Sequence, residues 1–234
     1  MIGGVQLEAA ALEIVRSGTE LGPVPLVPEI RLLQAGDPIS VWQSTEEAAG
    51  RTGLDPPFWA FAWAGGQALP RYLLDHPEVA RGRRVIDIAS GSGLVAIAAA
   101  RAGAAAVTAY DIDPLAAAAI TANADANGVT VRAVCADLLD QDAPTPPGTG
   151  LVLVADAFYE RELAGQVMRF LERSRAQGTA VLAGDFGRAY LPRTRLTPLA
   201  SYDVSGLSTL EGTDVKRTTV WAPRDTSETA LGWR

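Results

Sequence analysis

Short apolar runs alternate with segments of helical hydrophobic spacing from about residue 83 onward. Each run is bounded by glycine, proline or polar residues, which is typical of a buried strand between turns. The predicted strands cover 84–88, 106–110, 129–134, 151–155 and 179–183. The predicted helices between them cover 94–102, 114–127 and 160–175. This alternation predicts an α/β fold in which a mostly parallel sheet is covered by helices on both faces.

The two ends of the chain depart from this alternation. Segments 196–204 and 215–222 have strand character but no full helix between them, which predicts a C-terminal antiparallel hairpin. Near the N-terminus, a helical pattern at 5–16 precedes a proline-punctuated, extended stretch at 23–28. We predict a single structural domain. It consists of an N-terminal extension and lid at 1–75, a core at 76–224 and a flexible tail at 225–234.

Composition narrows the class of protein. The chain has 234 residues, 48% of them hydrophobic, which suffices for the core of one α/β domain. A net charge of −7 and the lack of a long basic run argue against nucleic acid as a partner. Cys135 and His76 are the only residues of their types, which excludes an internal disulfide and disfavours zinc and a Ser-His-Asp triad. We expect a cytoplasmic protein without a membrane partner, since no signal-peptide pattern or membrane-spanning apolar run is seen.

Candidate ligand-binding residues follow the predicted strands, because parallel sheets bind ligands at the carboxyl ends of their strands. The first loop, Asp87–Gly93, has glycines at 91 and 93 but lacks the dinucleotide fingerprint GxGxxG. A carboxylate at Asp87 would repel a pyrophosphate, yet it can attract an ammonium group directly or through water. S-adenosylmethionine carries such an ammonium and no phosphate. The alternative is a glycine turn with a capping aspartate.

Further acidic residues follow the second and third strands. Asp111, 24 residues after Asp87, is placed to accept both ribose hydroxyls of a nucleoside. Asp113 stands before Pro114 and is better suited to cap the next helix. Asp137 can accept a hydrogen bond from an adenine amino group, while a backbone N–H beside it reads a ring nitrogen; a solvated loop residue is the alternative. Three carboxylates in this order predict S-adenosylmethionine as the cofactor.

These motifs resemble those of known enzymes. The run Val85–Gly93, with Asp111 and Asp137, resembles the class I methyltransferases, whose fold is a Rossmann-like, seven-stranded sheet. Five stretches within 23–222 are similar to bacterial relatives of the electron-transfer flavoprotein β-subunit lysine methyltransferase: PVPLVPEIRL, PPFWAFAWAGGQAL, ADAFYE, GDFGRAYLP and VKRTTVW. That group carries an Asp/Glu-x-x-Tyr/Phe motif after the fourth strand. Here the motif is Asp156-Ala-Phe-Tyr159.

The resemblance implies roles for individual residues. It implies that Trp63 lies against the cofactor and that Ala155 lines its pocket, and it favours a functional role for Asp156. From their chemistry, we predict that Asp156 and Tyr159 are catalytic, orienting the substrate amine and passing on its proton, with Asp156 a binding and orienting group rather than a strong base. The alternatives are capping of the following helix for Asp156 and packing for Tyr159. The complete predicted cofactor set is Trp63, Asp87, Ala89, Gly91, Gly93, Asp111, Ile112, Ala136, Asp137 and Ala155, with no metal.

Two groups of residues are assigned to the substrate side. Trp59, Phe61 and Trp63 stand before a Gly65-Gly66 turn and form either plain core or a lid over the pocket. Asp185 and Arg188, after the fifth strand, either frame the substrate entrance or belong to a surface loop.

The implied activity is S-adenosylmethionine-dependent N-methylation of lysine side chains in a protein, with the electron-transfer flavoprotein β-subunit as the implied partner. The nucleophile is a neutral amine, and an apolar, aromatic pocket lowers the lysine pKa from about 10.4. A small-molecule N-methyltransferase of the nicotinamide or natural-product kind remains an alternative. A non-catalytic, cofactor-binding scaffold is a third interpretation, which the intact acidic and glycine positions of the first two loops disfavour.

Overall fold

The computed structural model describes residues 2–49, 52–53, 55–139, 145–205 and 215–224. Its strands are β1 (Glu20–Val24), β2 (Val27–Gln34), β3 (Arg84–Ile88), β4 (Ala106–Asp111), β5 (Arg132–Cys135), β6 (Leu151–Ala155), β7 (Ala180–Asp185), β8 (Leu196–Ser205) and β9 (Val215–Pro223). Its α-helices are α1 (Ile2–Ser17), α2 (Pro38–Ala49), α3 (Ala64–Asp75), α4 (Leu94–Arg101), α5 (Pro114–Ala126) and α6 (Arg161–Ala176). The predicted tail at 225–234 lies outside the described residues, as does part of the loop before β6.

Seven strands form one sheet in the order β5-β4-β3-β6-β7-β9-β8. The first five in this order run parallel, and β9 joins β7 antiparallel and pairs with β8 as the predicted C-terminal hairpin. The predicted fold class, a mostly parallel seven-stranded sheet with helices on both faces, is confirmed. The winding direction reverses between β3 and β6, so the loops after β3, β4, β5 and β6 meet at one edge.

The central strands are apolar on both faces because helices cover each side. Val85 and Leu153 pack in a cluster with residues of α3, α4 and α5. Ile86 and Val152, one position along, pack with α6 instead. This alternation follows from the period of two in a strand, and it explains why consecutive residues such as Val85 and Ile86 are both apolar and why β6 is apolar throughout.

The N-terminal region contains elements that the hydrophobic pattern did not predict. The proline-punctuated stretch is part of an antiparallel pair, β1 with β2. Asp37, whose carboxylate accepts the N–H groups of Ile39 and Ser40, precedes α2. None of the helices in the described ranges is long and apolar enough to cross a membrane.

Two boundaries differ from the prediction. Gly65 and Gly66, predicted as a turn before a helix, lie within the first turn of α3. The third strand of the alternation begins at Arg132 rather than at residue 129. The chain first leaves α5 through Gly128, which has a φ of 64°, and the N–H of Val129 still donates to the carbonyl of Ala124.

Candidate active site

The loop that joins β3 to α4 is strained at a position predicted to bind cofactor. Ala89 has a φ of 50°, and Gly91 and Gly93 are also left-handed. A Cβ added at Gly93 would lie 3.2 Å from Ile120 of α5, so glycine lets the loop pass close to that helix. Among the described residues, Ala89 and Asp156 are the two non-glycine residues with positive φ, and both are predicted site residues. Strain of this kind is typical of functional sites.

Asp87 lies beneath this loop, and its side chain is buried. The hydroxyl of Ser90 donates to its Oδ2 at 2.6 Å, and the N–H of Ala96 in the first turn of α4 also interacts with it. Burial raises the pKa of Asp87 to about 7. Asp87 therefore does cap the start of α4, as the alternative interpretation proposed. A contact with a ligand ammonium would run through Ser90 or water, and the sequence did not single out Ser90.

Asp111 connects the first two loops. Its Oδ2 accepts the N–H of Gly91 at 2.8 Å, and its Oδ1 accepts the N–H of Asp113 at 3.0 Å. Burial raises the pKa of the Asp111 carboxyl. Asp113 is the N-cap of α5, where it accepts the N–H of Leu115 with Pro114 in the first turn, so its predicted capping role is confirmed. Ile112 between them is 68% exposed at this edge.

The loop after β5 is exposed, and some of its polar groups already form hydrogen bonds within the protein. The N–H of Ala136 donates to the carbonyl of Asp111 at 2.8 Å, so this N–H does not read an adenine nitrogen. Asp137 accepts the N–H of Leu139 in a tight turn. The adenine role of Asp137 stays a prediction, and Ala136 offers a ligand its exposed methyl group rather than its N–H.

Asp156 follows Ala155 at the end of β6 and binds the start of α3. Its Oδ2 accepts the N–H of Gly66 at 2.7 Å, and the N–H of Gly65 also interacts with the carboxylate. Burial raises the pKa of Asp156, against the opposing effects of Arg188 and these two N–H groups. The residue thus caps α3 rather than α6, which begins at Arg161 after an N-cap without a side-chain bond. The capping alternative was therefore assigned to the wrong helix.

The start of α3 is also held by direct backbone contact with β7. A Cβ added at Gly65 would lie 2.3 Å from the carbonyl oxygen of Gly184 and 2.8 Å from Oδ2 of Asp156. At neighbouring Gly66, the nearest atom to an added Cβ is Oδ2 of Asp156 at 3.7 Å, an ordinary contact.

We expect Gly65→Ala to displace α3 and to lower the free energy of unfolding by about 1–3 kcal/mol, the usual cost of overpacking. Gly66→Ala is the matched control on the same helix turn. It should be neutral or stabilising by up to about 1 kcal/mol, because alanine has the higher helix propensity. Chemical denaturation of the two variants measures both effects. Equal stability of the two variants would show that the close backbone contact between α3 and β7 does not contribute to the free energy of unfolding.

Arg188 joins two buried carboxylates to two aromatic rings. Its Nη2 lies 3.2 Å from Oδ1 of Asp156, and its Nε lies 3.8 Å from Oδ2 of Asp185. The guanidinium carbon is 4.6 Å from the ring centre of Phe186 and 5.7 Å from that of Trp63. These contacts fit cation–π geometry.

Asp185 is fully buried at the end of β7. Its Oδ1 accepts the N–H groups of Gly187 and Arg188, and burial, followed by the charge of Asp156, raises the pKa of Asp185 to about 6. Asp185 and Arg188 are thus not a plain surface loop. Arg188 contacts the predicted site residues Asp156 and Trp63 directly.

Three aromatic residues form a cluster beside the β3–α4 loop, 89–93, which we name the cofactor loop. We name Phe58, Trp63 and Tyr159 the aromatic rim. The Phe58 ring centre is 6.0 Å from that of Trp63 and 5.6 Å from that of Tyr159. The indole N–H of Trp63 donates to the carbonyl of Phe58 at 2.9 Å. Phe58 and Tyr159 are 39% and 45% exposed, so the rim opens to solvent.

The rest of the aromatic segment is core. Trp59 and Phe61 are buried among residues of α1, α2 and α5. These two residues therefore belong to the core and do not form a lid. The backbone of Phe58 and Trp59 lies 3.9 Å from the Cβ position of Gly91, so this segment borders the cofactor loop. In the described part of the chain, no group of three or more His, Cys, Asp or Glu side chains could hold a metal ion.

The chain matches the family model for ribosomal protein L11 methyltransferase over residues 68–184, half of its length. It is 40% identical over 209 residues to the electron transfer flavoprotein beta subunit lysine methyltransferase of Xenopus laevis, which covers 87% of this chain and 83% of the relative. The human protein of that name is 35% identical over 217 residues, and the match covers 89% of this chain and 78% of the human protein.

Among solved structures, magnesium protoporphyrin IX methyltransferase from Synechocystis with bound SAM has a TM-score of 0.49 at 15% identity, covering 67% of this chain and 76% of that one. TrmN from Thermus thermophilus has a TM-score of 0.48 at 24% identity, covering 66% and 48%. The identity and coverage of the named relatives are what decide the family. This chain is an S-adenosylmethionine-dependent methyltransferase and belongs to the family of electron transfer flavoprotein β-subunit lysine methyltransferases.

Proposed function

We propose that the aromatic rim admits a lysine side chain of a protein substrate and that the electron transfer flavoprotein β-subunit is that substrate. The observation that carries this proposal is the position of the rim. Phe58 and Tyr159 are exposed, whereas Trp63 behind them contacts Arg188, the partner of Asp156. A long aliphatic side chain fits such an opening, because its methylenes pack on rings while its amine reaches the polar groups inside. The names of the relatives support the choice of protein.

The residues of the first two loops suit S-adenosylmethionine. The buried carboxylate of Asp87, reached through Ser90, suits the ammonium of the methionine moiety, and Asp111 is placed for the ribose hydroxyls. The exposed side chains of Ile112 and Asp137 would border the adenine. When bound, this cofactor supplies a methyl group on a sulfonium, which needs no acid to leave.

The protein's main tasks are to align a neutral amine and to exclude water from it. Apolar surroundings at Phe58, Trp63 and Tyr159 favour the neutral form of a lysine amine by desolvation. The guanidinium of Arg188, held at Asp156, disfavours a second positive charge nearby. We assign Asp156 to hold α3 and Arg188 in place and to offer its Oδ1 side to the amine. The hydroxyl of Tyr159 is the remaining polar group of the rim.

One experiment separates a protein substrate from a small-molecule substrate. The enzyme is incubated with S-adenosylmethionine labelled in its methyl group, with purified electron transfer flavoprotein in one reaction and with deproteinised cell extract in another. We expect label in lysine residues of the flavoprotein β-subunit and none in the small-molecule fraction. Label confined to small molecules would overturn the proposal, and label on another protein would change only the partner.

The pKa of Asp87 predicts how cofactor affinity depends on pH. With a pKa of about 7, the carboxyl is mostly protonated at pH 6 and ionised at pH 8. A ligand ammonium favours the ionised form, so affinity must rise as the pH rises through 7. We expect S-adenosylhomocysteine to bind about tenfold more tightly at pH 8 than at pH 6, with proton release near pH 6. Calorimetry in buffers of different ionisation enthalpy measures both.

Asp87→Asn is the control for this prediction. Asparagine can keep the contacts with Ser90 and Ala96, but it has no charge to titrate. Its affinity for S-adenosylhomocysteine should be lower at pH 8 and nearly the same at pH 6. A wild-type affinity that does not change with pH would mean that the ammonium is bound elsewhere.

A further inference from the structure

The chain contains a single lysine, Lys216, among 20 lysine and arginine residues. This is notable in an enzyme that we propose to methylate lysine, because the chain itself offers its active site only one side-chain amine. The position of that amine therefore decides whether the enzyme can act on itself.

Lys216 is the second residue of β9, which runs antiparallel to β7. The start of β9 therefore lies at the end of β7, the sheet edge that carries the candidate active site. The pairing of Asp185 with Thr219 places Lys216 three residues beyond that register, past the end of β7. Its backbone position thus brings a partly exposed lysine to the substrate side of the molecule.

The side chain of Lys216 contacts the same aromatic ring as Arg188. Its Nζ lies 3.7 Å from the ring centre of Phe186. The same ring is contacted by the guanidinium of Arg188 at 4.6 Å. Arg188 in turn is bonded to Asp156 and lies against Trp63 of the aromatic rim. One phenyl ring thus joins the ammonium of Lys216 to the residues that surround the proposed acceptor site.

We propose that Lys216 is a methyl acceptor of the enzyme's own activity, modified within the same molecule. The proposal rests on the lysine methyltransferase function argued above. In the step, the Lys216 ammonium first releases one proton to solvent. The neutral Nζ then forms a bond to the methyl carbon as the bond from that carbon to sulfur breaks. The electron pair of that bond stays on sulfur, which becomes a neutral thioether, and the product is a methylated alkylammonium that keeps the positive charge of the lysine.

The surroundings of Lys216 accommodate the product. Methylation keeps the positive charge of the lysine, and methylated ammonium groups bind well over aromatic rings. The contact with Phe186 therefore survives the modification. What changes is the number of N–H donors, because each methyl group replaces one of the three.

The test uses the full chain with a lysine-free purification tag. Intact-mass and peptide mass spectrometry are carried out on the protein as purified and after incubation with S-adenosylmethionine. We expect added methyl groups on the peptide that contains Lys216, at a rate per molecule that does not depend on protein concentration. Lys216→Arg keeps the positive charge and is expected to lose all of this modification while still methylating the flavoprotein β-subunit.

The outcomes separate this inference from the proposed function. Methylation of the flavoprotein with unmodified Lys216 would overturn the inference and leave the proposed function standing. A modification rate that rises with protein concentration, or methyl groups found only on the N-terminal amine, would also overturn it. Failure to methylate any protein would overturn the proposed function, and the inference with it.

Discussion

Replacing Asp156 by asparagine is expected to lower turnover by about a hundredfold, the usual scale for a positioned polar group in an active site. Asparagine can still accept the N–H of Gly66 with its one oxygen, but its amide then turns an N–H₂ donor toward Arg188 in place of the second carboxylate oxygen. The charge pairing with that guanidinium is lost, so Arg188 and any substrate amine lose their common anchor. Methyl transfer to the flavoprotein β-subunit, measured at saturating cofactor, checks this prediction.

The same substitution should change cofactor binding little, because the contacts of Asp156 are with α3 and Arg188 rather than with the loops after β3 and β4. The lost charged hydrogen bonds should reduce the free energy of unfolding by about 1–3 kcal/mol. Affinity for S-adenosylhomocysteine therefore reports whether the site is still assembled in the variant. Near-normal turnover with an intact cofactor site would show that Asp156 does not orient the substrate amine.

Asp185→Asn is the matched control. Asp185 is also shielded from solvent and also faces Arg188, but its Oδ1 needs only the N–H groups of Gly187 and Arg188, which asparagine can satisfy. Its pKa of about 6 already makes ionisation costly, so neutralising it should affect stability and turnover far less. The double variant Asp156→Asn with Arg188→Gln adds a second comparison. Recovery of activity there would mean that Asp156 serves only to neutralise Arg188.

The parallel sheet could be predicted from the sequence because its central strands are buried on both faces. Leu151–Ala155 is apolar throughout, and Arg84–Ile88 has three apolar residues out of five, and the structure has strands at the same residues. The third strand was misplaced because Val129 and Val131 are apolar without being extended in the sheet. They pack on the core from the loop after α5, and β-branched residues do not distinguish these two environments.

The N-terminal elements β1, β2 and α2 were harder to predict because no hydrophobic periodicity marks them. A capping residue marks the start of α2, and β1 and β2 depend on their pairing with each other. Asp37 followed by Pro38 is a helix start that the sequence does contain, with a capping carboxylate and a proline in the first turn. The pairing of β1 with β2 is masked by its prolines, which usually argue against a strand.

The acidic residues of the site could be placed on their loops from the sequence, but their partners could not. Strand periodicity puts Asp87, Asp111 and Asp156 at the same sheet edge, as observed. The contact of Asp156 with Gly66 spans 90 residues, and that with Arg188 spans 32. Such pairs depend on how α3 packs on β7, which a pattern along the chain does not encode. The role of Trp63 came from family resemblance, and the structure adds its contact with Arg188.

Replacing Asp111 by alanine is expected to weaken the binding of S-adenosylhomocysteine at least tenfold. Two hydrogen bonds from a carboxylate to the ribose hydroxyls would be lost, each contributing about 1.5–3 kcal/mol. The same carboxylate also holds the N–H of Gly91, so the variant loosens the cofactor loop from β4 as well. Both effects act on affinity in the same direction. Isothermal titration with S-adenosylhomocysteine gives the change directly.

Asp113→Ala separates ribose binding from loop architecture. Asp113 lies two residues away in the same turn, but its carboxylate accepts the N–H of Leu115 as the cap of α5. Removing it should cost about 0.5–2 kcal/mol of stability, as for other helix caps, with affinity for S-adenosylhomocysteine nearly unchanged. If instead Asp111→Ala bound the ligand normally and Asp113→Ala did not, the ribose would belong to Asp113. Asp111 would then serve only to hold Gly91, because a carboxylate that binds the ribose cannot be removed without a loss of affinity.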